Sequence, residues 1–281
     1  MATGSHGLAS RRSAVALGMA AIGLAVAAPL VLRDGSPSPA AAPDGGAPPS
    51  QPAPAVPAVR VAPCLEVSRR PADAAWRWDV VDVGVDLDRC ALDVARAGGG
   101  TGARLADLLP QGALAAVNGG YFEADFRPTS WLRVGGADVS PRHATRAGGV
   151  LAVRGATPFV GSLADLPFEP ELAVQNAPLV VEPDGAVGIR GDDGKRAART
   201  VACMRGGGLR FVLVLAPGGD GPTLLELARW VTRGGAATAC DVALNLDGGP
   251  STGIVFAPGL GQTSSAPRAP IAYSLVVRPR P

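Results

Sequence analysis

Charge is scarce in this chain. Only 18% of its 281 residues are Asp, Glu, Lys or Arg, and their formal balance is +2. Setting aside Arg11, Arg12, Arg33 and Asp34 near the N-terminus makes the remainder formally neutral. Such a balance attracts no polyanion, so nucleic acid and an anionic membrane surface are excluded as partners of the body. Aromatic residues make up 4%, too few for a platform on which single-stranded bases stack. Lys195 is the single lysine, so the triplet Gly206 to Gly208 lacks the lysine of a phosphate loop. His143 is the one histidine beyond the N-terminal region. It stands in the loop-like "SPRH" and supports no Ser-His-Asp arrangement. No repeat of solenoid period occurs. The four cysteines (Cys64, Cys90, Cys203 and Cys240) lack metal-ligand spacing. No metal or cofactor is indicated, Ca²⁺ being left open.

What is abundant is apolar residues (47%), glycine (38) and proline (27), enough for one sizeable core. The N-terminal "SRRSAVALGMAAIGLAVAAP" pairs two arginines with an apolar run and a small-x-small site at Ala25-Val26-Ala27. It reads as a signal peptide over residues 1–33 or, uncleaved, as a membrane anchor. Residues 34–63 are Pro, Ala, Gly and Ser in the main and read as a disordered linker. The body then spans residues 64–281. The chain is expected to be exported, to the periplasm, envelope or medium, with a membrane contact only through the anchor. An even cysteine count in an exported body predicts two disulfides, in one of three connectivities.

Within the body, "WRWDVVDVGVDLDRCALDVARA" alternates as one or two strands with a turn near Asp86 to Asp88. "TGARLADLLPQG" predicts a short helix ended by Pro110 and Gly112. "ALAAVNGGYF" and "CDVALNLDGG" predict buried strands, and "IAYSLVVRP" a closing one. "WLRVGGADVS", "GGVLAVRG", "LAVQNAPLVVEPDG" and "RTVACMRGGGLRFVLVLAP" read as hairpin strands. In "GPTLLELARWVTRGG", Thr223 and Glu226 form a capping box, with Gly234-Gly235 as the stop. Leu224, Leu227, Ala228 and Val231 form its apolar face. The expected class is α+β: a mixed, mainly antiparallel sheet domain with a few inserted helices.

Two buried strands end alike, in "AVNGGYF" and "LNLDGGPST". Each places a carboxamide or carboxylate before two glycines, which permit positive φ and close approach of a ligand to the backbone. Either motif alone is as well explained by a tight turn.

Together they resemble the phosphodiester glycosidase family, typified by the lysosomal uncovering enzyme and including bacterial homologues associated with exopolysaccharide. The resemblance rests on "NGGYF" (Asn118 to Phe122), "VQNAPLV", "ARTVACM", "TLLELARW" and "NLDGGPST" (Asn245 to Thr252), in family order from about Trp76 to Val277. It departs from the family pattern at Pro250, where a third glycine is usual, and at Ala177, where Gln-x-Gly-Pro is commoner. The resemblance implies an exported glycosidase that hydrolyses a sugar-1-phosphodiester or a related glycosidic bond. Its substrate would be a carbohydrate or sugar phosphate. A non-catalytic envelope protein that binds polysaccharide in the same pocket is the alternative.

Breaking a glycosyl phosphate at C1–O needs an oxocarbenium-stabilising carboxylate and a cation on the phosphate. On that reading Asp247 is the carboxylate, Arg199 the phosphate arginine and Asn118 a third catalytic group. Gly119, Gly120, Tyr121, Gln175, Thr200, Asn245, Gly248, Gly249 and Ser251 would bind substrate, with Thr252 as a weaker donor. Glu123 and Asp125 are candidates for a second carboxylate. If the capped helix returns the "ALNLD" strand beside the "ARTVACM" strand, Cys203 pairs with Cys240, leaving Cys64 for Cys90.

Overall fold

The computed structural model describes residues 57–72, 77–143, 148–216, 219–233 and 239–280. The expected targeting segment, most of the linker and the Gly234-Gly235 stop lie outside them. No described helix is long and apolar enough to cross a membrane. The folded body begins before Cys64, because Val59–Ala62 is already a strand paired with Leu65–Arg70.

Three sheets, antiparallel at every described pairing, make up the body. The first has seven strands in the order Val59–Ala62, Leu65–Arg70, Asp79–Val85, Gly208–Leu215, Arg199–Arg205, Val242–Asn245 and Leu179–Val181. The second has five: Ala137–Ser140, Leu132–Val134, Leu172–Asn176, Gly149–Arg154 and Thr157–Ser162. The third has four: Ile254–Phe256, Ala115–Asn118, Tyr273–Pro279 and Cys90–Arg96.

Strand alternation explains how they pack. Phe211 and Leu213, Leu151 and Val153, and Val117, Leu275 and Val277 all point into one shared core. Their chain neighbours point the other way. Val212 and Val214 pack under the helix Leu224–Arg233 through Leu227, Ala228 and Val231. Ala116 and Val276 pack against Leu105 and Leu108. Val150 and Ala152 pack with Trp131 and Phe159. The central strands of each sheet are therefore buried on both faces, which is why Ala115–Asn118, Leu172–Asn176 and Val242–Asn245 read as near-continuous apolar runs.

The expected α+β class is corrected by this arrangement: the fold is β-rich, with a single α-helix among the described residues. The helix expected in "TGARLADLLPQG" is a 3₁₀ turn, Leu105–Leu108. Leu105 and Leu108 are three apart and both buried, a spacing that 3₁₀ geometry eclipses onto one side. Pro110 then disfavours helical backbone at Leu109. The true helix carries its capping box as read: Thr223 Oγ1 accepts from Glu226 N (3.2 Å) and Glu226 Oε2 from Thr223 N (3.1 Å).

A second correction concerns "LAVQNAPLVV". Its two halves are not a hairpin but belong to different sheets, Leu172–Asn176 to the five-stranded and Leu179–Val181 to the seven-stranded one. Pro178 stands between them without an N–H to continue either ladder, and its carbonyl accepts from Asn245 N (2.9 Å).

The cysteines pair Cys64–Cys90 and Cys203–Cys240, with Cα separations of 5.7 and 5.6 Å. The first ties the start of Leu65–Arg70 to the four-stranded sheet. The second ties the helix's exit to the Arg199–Arg205 strand, inside the core beneath the helix. Replacing Cys203 and Cys240 together by alanine should cost about 2–4 kcal/mol in urea unfolding. A midpoint unmoved by that double change would show the link to be dispensable.

Candidate active site

The site forms where the ends of the three sheets meet. Asn118 comes from the four-stranded sheet, Asn176 from the five-stranded and Asn245 from the seven-stranded; all three are buried. Asn118 Nδ2 donates to the carbonyls of Gly119 (3.1 Å) and Asp247 (2.9 Å). Its Oδ1 accepts from Thr200 Oγ1 (2.8 Å) and Gly253 N (3.1 Å). Asn176 Nδ2 donates to Asn245 O (2.7 Å), and its Oδ1 accepts from Tyr121 N (3.0 Å). Asn245 Nδ2 reaches Leu246 O (2.7 Å), Tyr121 Oη (2.8 Å) and Ala177 O (3.2 Å).

Above this seam lie three half-buried groups. Asp247 has Oδ1 on Gly248 N (2.8 Å), and the nearby Ser251 hydroxyl favours its charged form. Burial nonetheless pushes its carboxyl above the ordinary range, against the pull of those two donors. Arg199 opens its strand with Nη2 on Lys195 O (2.8 Å) and Nε on Pro222 O (3.3 Å). No described carboxylate pairs with it, and burial lowers its basicity, opposed by Tyr121 and Asp193. Tyr121 joins the two: its hydroxyl feels the charges of both Asp247 and Arg199. Gly248 brings the turn against Arg199, since a Cβ there would lie 2.9 Å from Ala198 O and 3.8 Å from Arg199 Nη1. Gly249 supplies the positive φ (60°) that starts the Gly249–Ser251 3₁₀ turn.

Not every expected residue faces this group. Asn118 is sealed beneath it, with both donors and its acceptor oxygen used by the protein. Thr200 is buried and spends its hydroxyl on Asn118. Gln175 is pinned elsewhere, its Nε2 on His143 O (2.8 Å) and its Oε1 on His143 N (2.9 Å). The strand neighbour Asn176, which sequence reasoning passed over, is the one that meets the seam. Gly119 and Gly120 are explained by Tyr273, also missed. A Cβ at Gly119 would collide with the Tyr273 ring, and Tyr273 Oη accepts from Gly120 N (2.8 Å). These glycines serve packing, and neither has positive φ. Asp125 pairs with Arg127 on an exposed turn (2.6 Å), and Glu123 is exposed on the same turn.

The two departures from the family pattern fit the geometry. Pro250 is the second residue of the 3₁₀ turn, where no N–H partner is required, and its carbonyl accepts from Arg268 N (2.8 Å). Ala177 contributes its carbonyl to Asn245, which any residue can do.

The profile of the phosphodiester glycosidase family matches residues 111–278. No curated protein matches the chain. Among solved structures it is similar to the zebrafish N-acetylglucosamine-1-phosphodiester alpha-N-acetylglucosaminidase catalytic domain, auto-inhibited by its pro-peptide. There the TM-score is 0.60 at 18% identity, over 80% of this chain and 87% of that one. A Synechocystis protein aligns at TM-score 0.56 and 16% identity, over 81% and 64% of the two chains. A Burkholderia pseudomallei protein assigned to export aligns at 0.52 and 15%, over 72% and 74%.

Asn118→Ala tests the place of the seam. Truncation orphans Gly253 N, the Thr200 hydroxyl and two carbonyls in the interior, so unfolding should weaken by at least about 3 kcal/mol. Full stability in that variant, measured by denaturant unfolding, would return Asn118 to the ligand-facing side.

Proposed function

This chain belongs to the phosphodiester glycosidase family, and from that premise we propose that it hydrolyses a sugar-1-phosphodiester in envelope or extracellular glycans, cutting between the sugar C1 and oxygen. The observation that carries the reading is that the turn holding Asp247 lies against Arg199 at Gly248, with Tyr121 within reach of both charges. A carboxylate and a guanidinium, both half-buried, are each held by groups other than the other. A glycosyl phosphodiester presents the matching charges, an anionic phosphate and a C1 that turns positive in the transition state.

Arg199 takes the phosphate, offering a planar fork to its oxygens. Asp247 stands on the sugar side, where it stabilises the oxocarbenium and accepts the proton of the incoming water. A carboxylate made more basic by burial suits that second task. Asn118, Asn176 and Asn245 position the turn, and Ser251 and Gly248 N orient the carboxylate. The two disulfides favour an oxidising compartment, which supports export.

Three measurements bear on this. On a panel of sugar-1-phosphodiesters, Asp247→Asn should lower turnover by about 10²-fold or more. Arg199→Lys should act mainly on KM, since lysine loses the fork. Turnover should rise with pH along an acid limb lying above the ordinary carboxylate range, and the limb should vanish in Asp247→Asn. Polysaccharide binding without turnover in the parent protein would overturn the enzymatic reading.

The same shift makes a stability prediction. Because the folded-state pKa of Asp247 is raised, the unfolded chain releases this proton first as pH rises. Ionised Asp247 therefore subtracts stability at neutral pH, and the subtraction disappears below the ordinary carboxylate range. Asp247→Asn should melt higher than the parent at pH 7 and lose that advantage in acid. A variant that melts lower at pH 7 would show that Gly248 and Ser251 outweigh burial.

A further inference from the structure

We propose that the Tyr121 hydroxyl is a catalytic hydrogen-bond donor to the oxygen that departs with the phosphate. The inference rests on the reaction proposed above and adds a residue role to it.

The direction of the Tyr121 O–H bond follows from its neighbour. Asn245 Nδ2 lies 2.7 Å from Leu246 O and 3.2 Å from Ala177 O, so the amide nitrogen must face those carbonyls. Exchanging its nitrogen and oxygen would set three acceptors against one another. The same Nδ2 donates to Tyr121 Oη at 2.8 Å. The two hydrogens of Nδ2 go to its two short partners, Leu246 O and Tyr121 Oη, with Ala177 O a longer, shared one, so the phenol oxygen is an acceptor there and its own hydrogen, held near the ring plane, points to the other side. No described group accepts that hydrogen. The ring is half-buried, and its backbone is fixed by Asn176 Oδ1 on Tyr121 N and by Thr129 N (3.1 Å) on its carbonyl. A rigid donor is thus left for something that is not part of the chain.

What it faces identifies the partner. Tyr121 Oη shares Asn245 Nδ2 with the carbonyl of Leu246, the residue before Asp247, and the turn that follows lies against Arg199, so the charges of Asp247 and Arg199 both act on this hydroxyl. With the carboxylate at the sugar and the guanidinium at the phosphate, the atom between them is the bridging oxygen. Burial first, and the Asp247 charge second, raise the proton affinity of Tyr121, so it stays a donor at neutral pH.

The step balances without a proton from Tyr121. The C1–O bond breaks and its electron pair stays on the departing oxygen, giving a phosphate monoester dianion. Water forms the new C1–O bond and passes its proton to Asp247. A phosphate monoester, with a second pKa of about 6, is far less basic than a phenolate at about 10, so Tyr121 stabilises the departing charge and keeps its hydrogen.

The test compares Tyr121→Phe with the parent on two sugar-1-phosphodiesters, one with an alkyl and one with a nitrophenyl group on the phosphate. The nitrophenyl ester leaves more readily and needs the hydrogen bond less. The variant should lose about 10²-fold in kcat/KM on the alkyl ester and several-fold less on the nitrophenyl ester. The ratio of the two losses is taken within one preparation, so it does not depend on how much of the variant folds. Equal losses on both esters, or none, overturn the donor role. If the parent is active and Asp247→Asn is impaired while Tyr121→Phe is not, this inference alone falls. If the parent cleaves neither ester, the underlying reaction falls with it.

Discussion

Three buried carboxamides hold this molecule's sheets at one seam. A carboxamide is neutral, planar, and carries two donor hydrogens beside an acceptor oxygen. Placed at a strand end it can bond the backbone of a foreign sheet without the desolvation cost of a charge. Asn118, at the end of the four-stranded sheet, holds Asp247 O as the chain crosses over and accepts from the Thr200 hydroxyl of the seven-stranded sheet. Asn176 bonds from the five-stranded sheet toward Asn245 O and Tyr121 N. Asn245 does it from the seven-stranded sheet toward Ala177 O and Tyr121 Oη. A leucine at any of these positions would orphan buried carbonyls and amides, while an aspartate would bury a charge among carbonyl oxygens. The arrangement of the candidate site follows from where these three side chains must stand.

The donors of the seam are satisfied, and of its acceptors Asn245 Oδ1 alone is buried without a partner; the charged groups above it are less settled. Burial acts against Asp247 and Arg199 in opposite chemical directions but to the same electrostatic effect, making each charge harder to keep. Pairing them with each other would relieve both, yet each is held by carbonyls, an amide or a hydroxyl instead. That leaves two half-buried charges that a ligand can compensate, and the body carries their desolvation cost in its ligand-free state. Stability and function are then opposed at Asp247 and aligned at Asn118.

Much of this was legible in the sequence. The capping box at Thr223 and Glu226 and the two Asx-Gly-Gly strand ends could be read from local pattern, and the cysteine pairs followed once the helix was taken to return one strand beside the other. The number of helices could not: Leu105 and Leu108 fit one turn of either helix type, and the backbone closes only a four-residue 3₁₀ turn, which their packing on Ala116 and Val276 satisfies. Sheet membership was also hidden, because strands buried on both faces lose the alternation that would say which face meets which partner. The motif "VQNAPLV" points to Gln175, but neighbours on a strand point to opposite sides, and it is Asn176 that meets the seam. The glycines of "NGGYF" looked like room for a ligand, although Tyr273, in an ordinary-looking final strand, already fills that room.

The break in "ALNLDGGPST" has its explanation in connectivity. Leu246 N still donates to Thr200 O, within the seven-stranded sheet (2.8 Å). One residue later, Asp247 N donates to Gly119 O (3.1 Å) and Asp247 O accepts from Asn118, both at the end of the four-stranded sheet. Asp247 is therefore the residue at which the chain leaves one sheet for the other, where Ile254–Phe256 pairs with Ala115–Asn118. Its backbone groups are fully spoken for by the sheet it is entering. Gly248 then passes against Ala198 O too closely for any side chain, and Gly249 turns with positive φ. The strand stops because the chain must change sheets there, and the aspartate at the crossing is the one whose carboxylate that change leaves at the mouth of the seam.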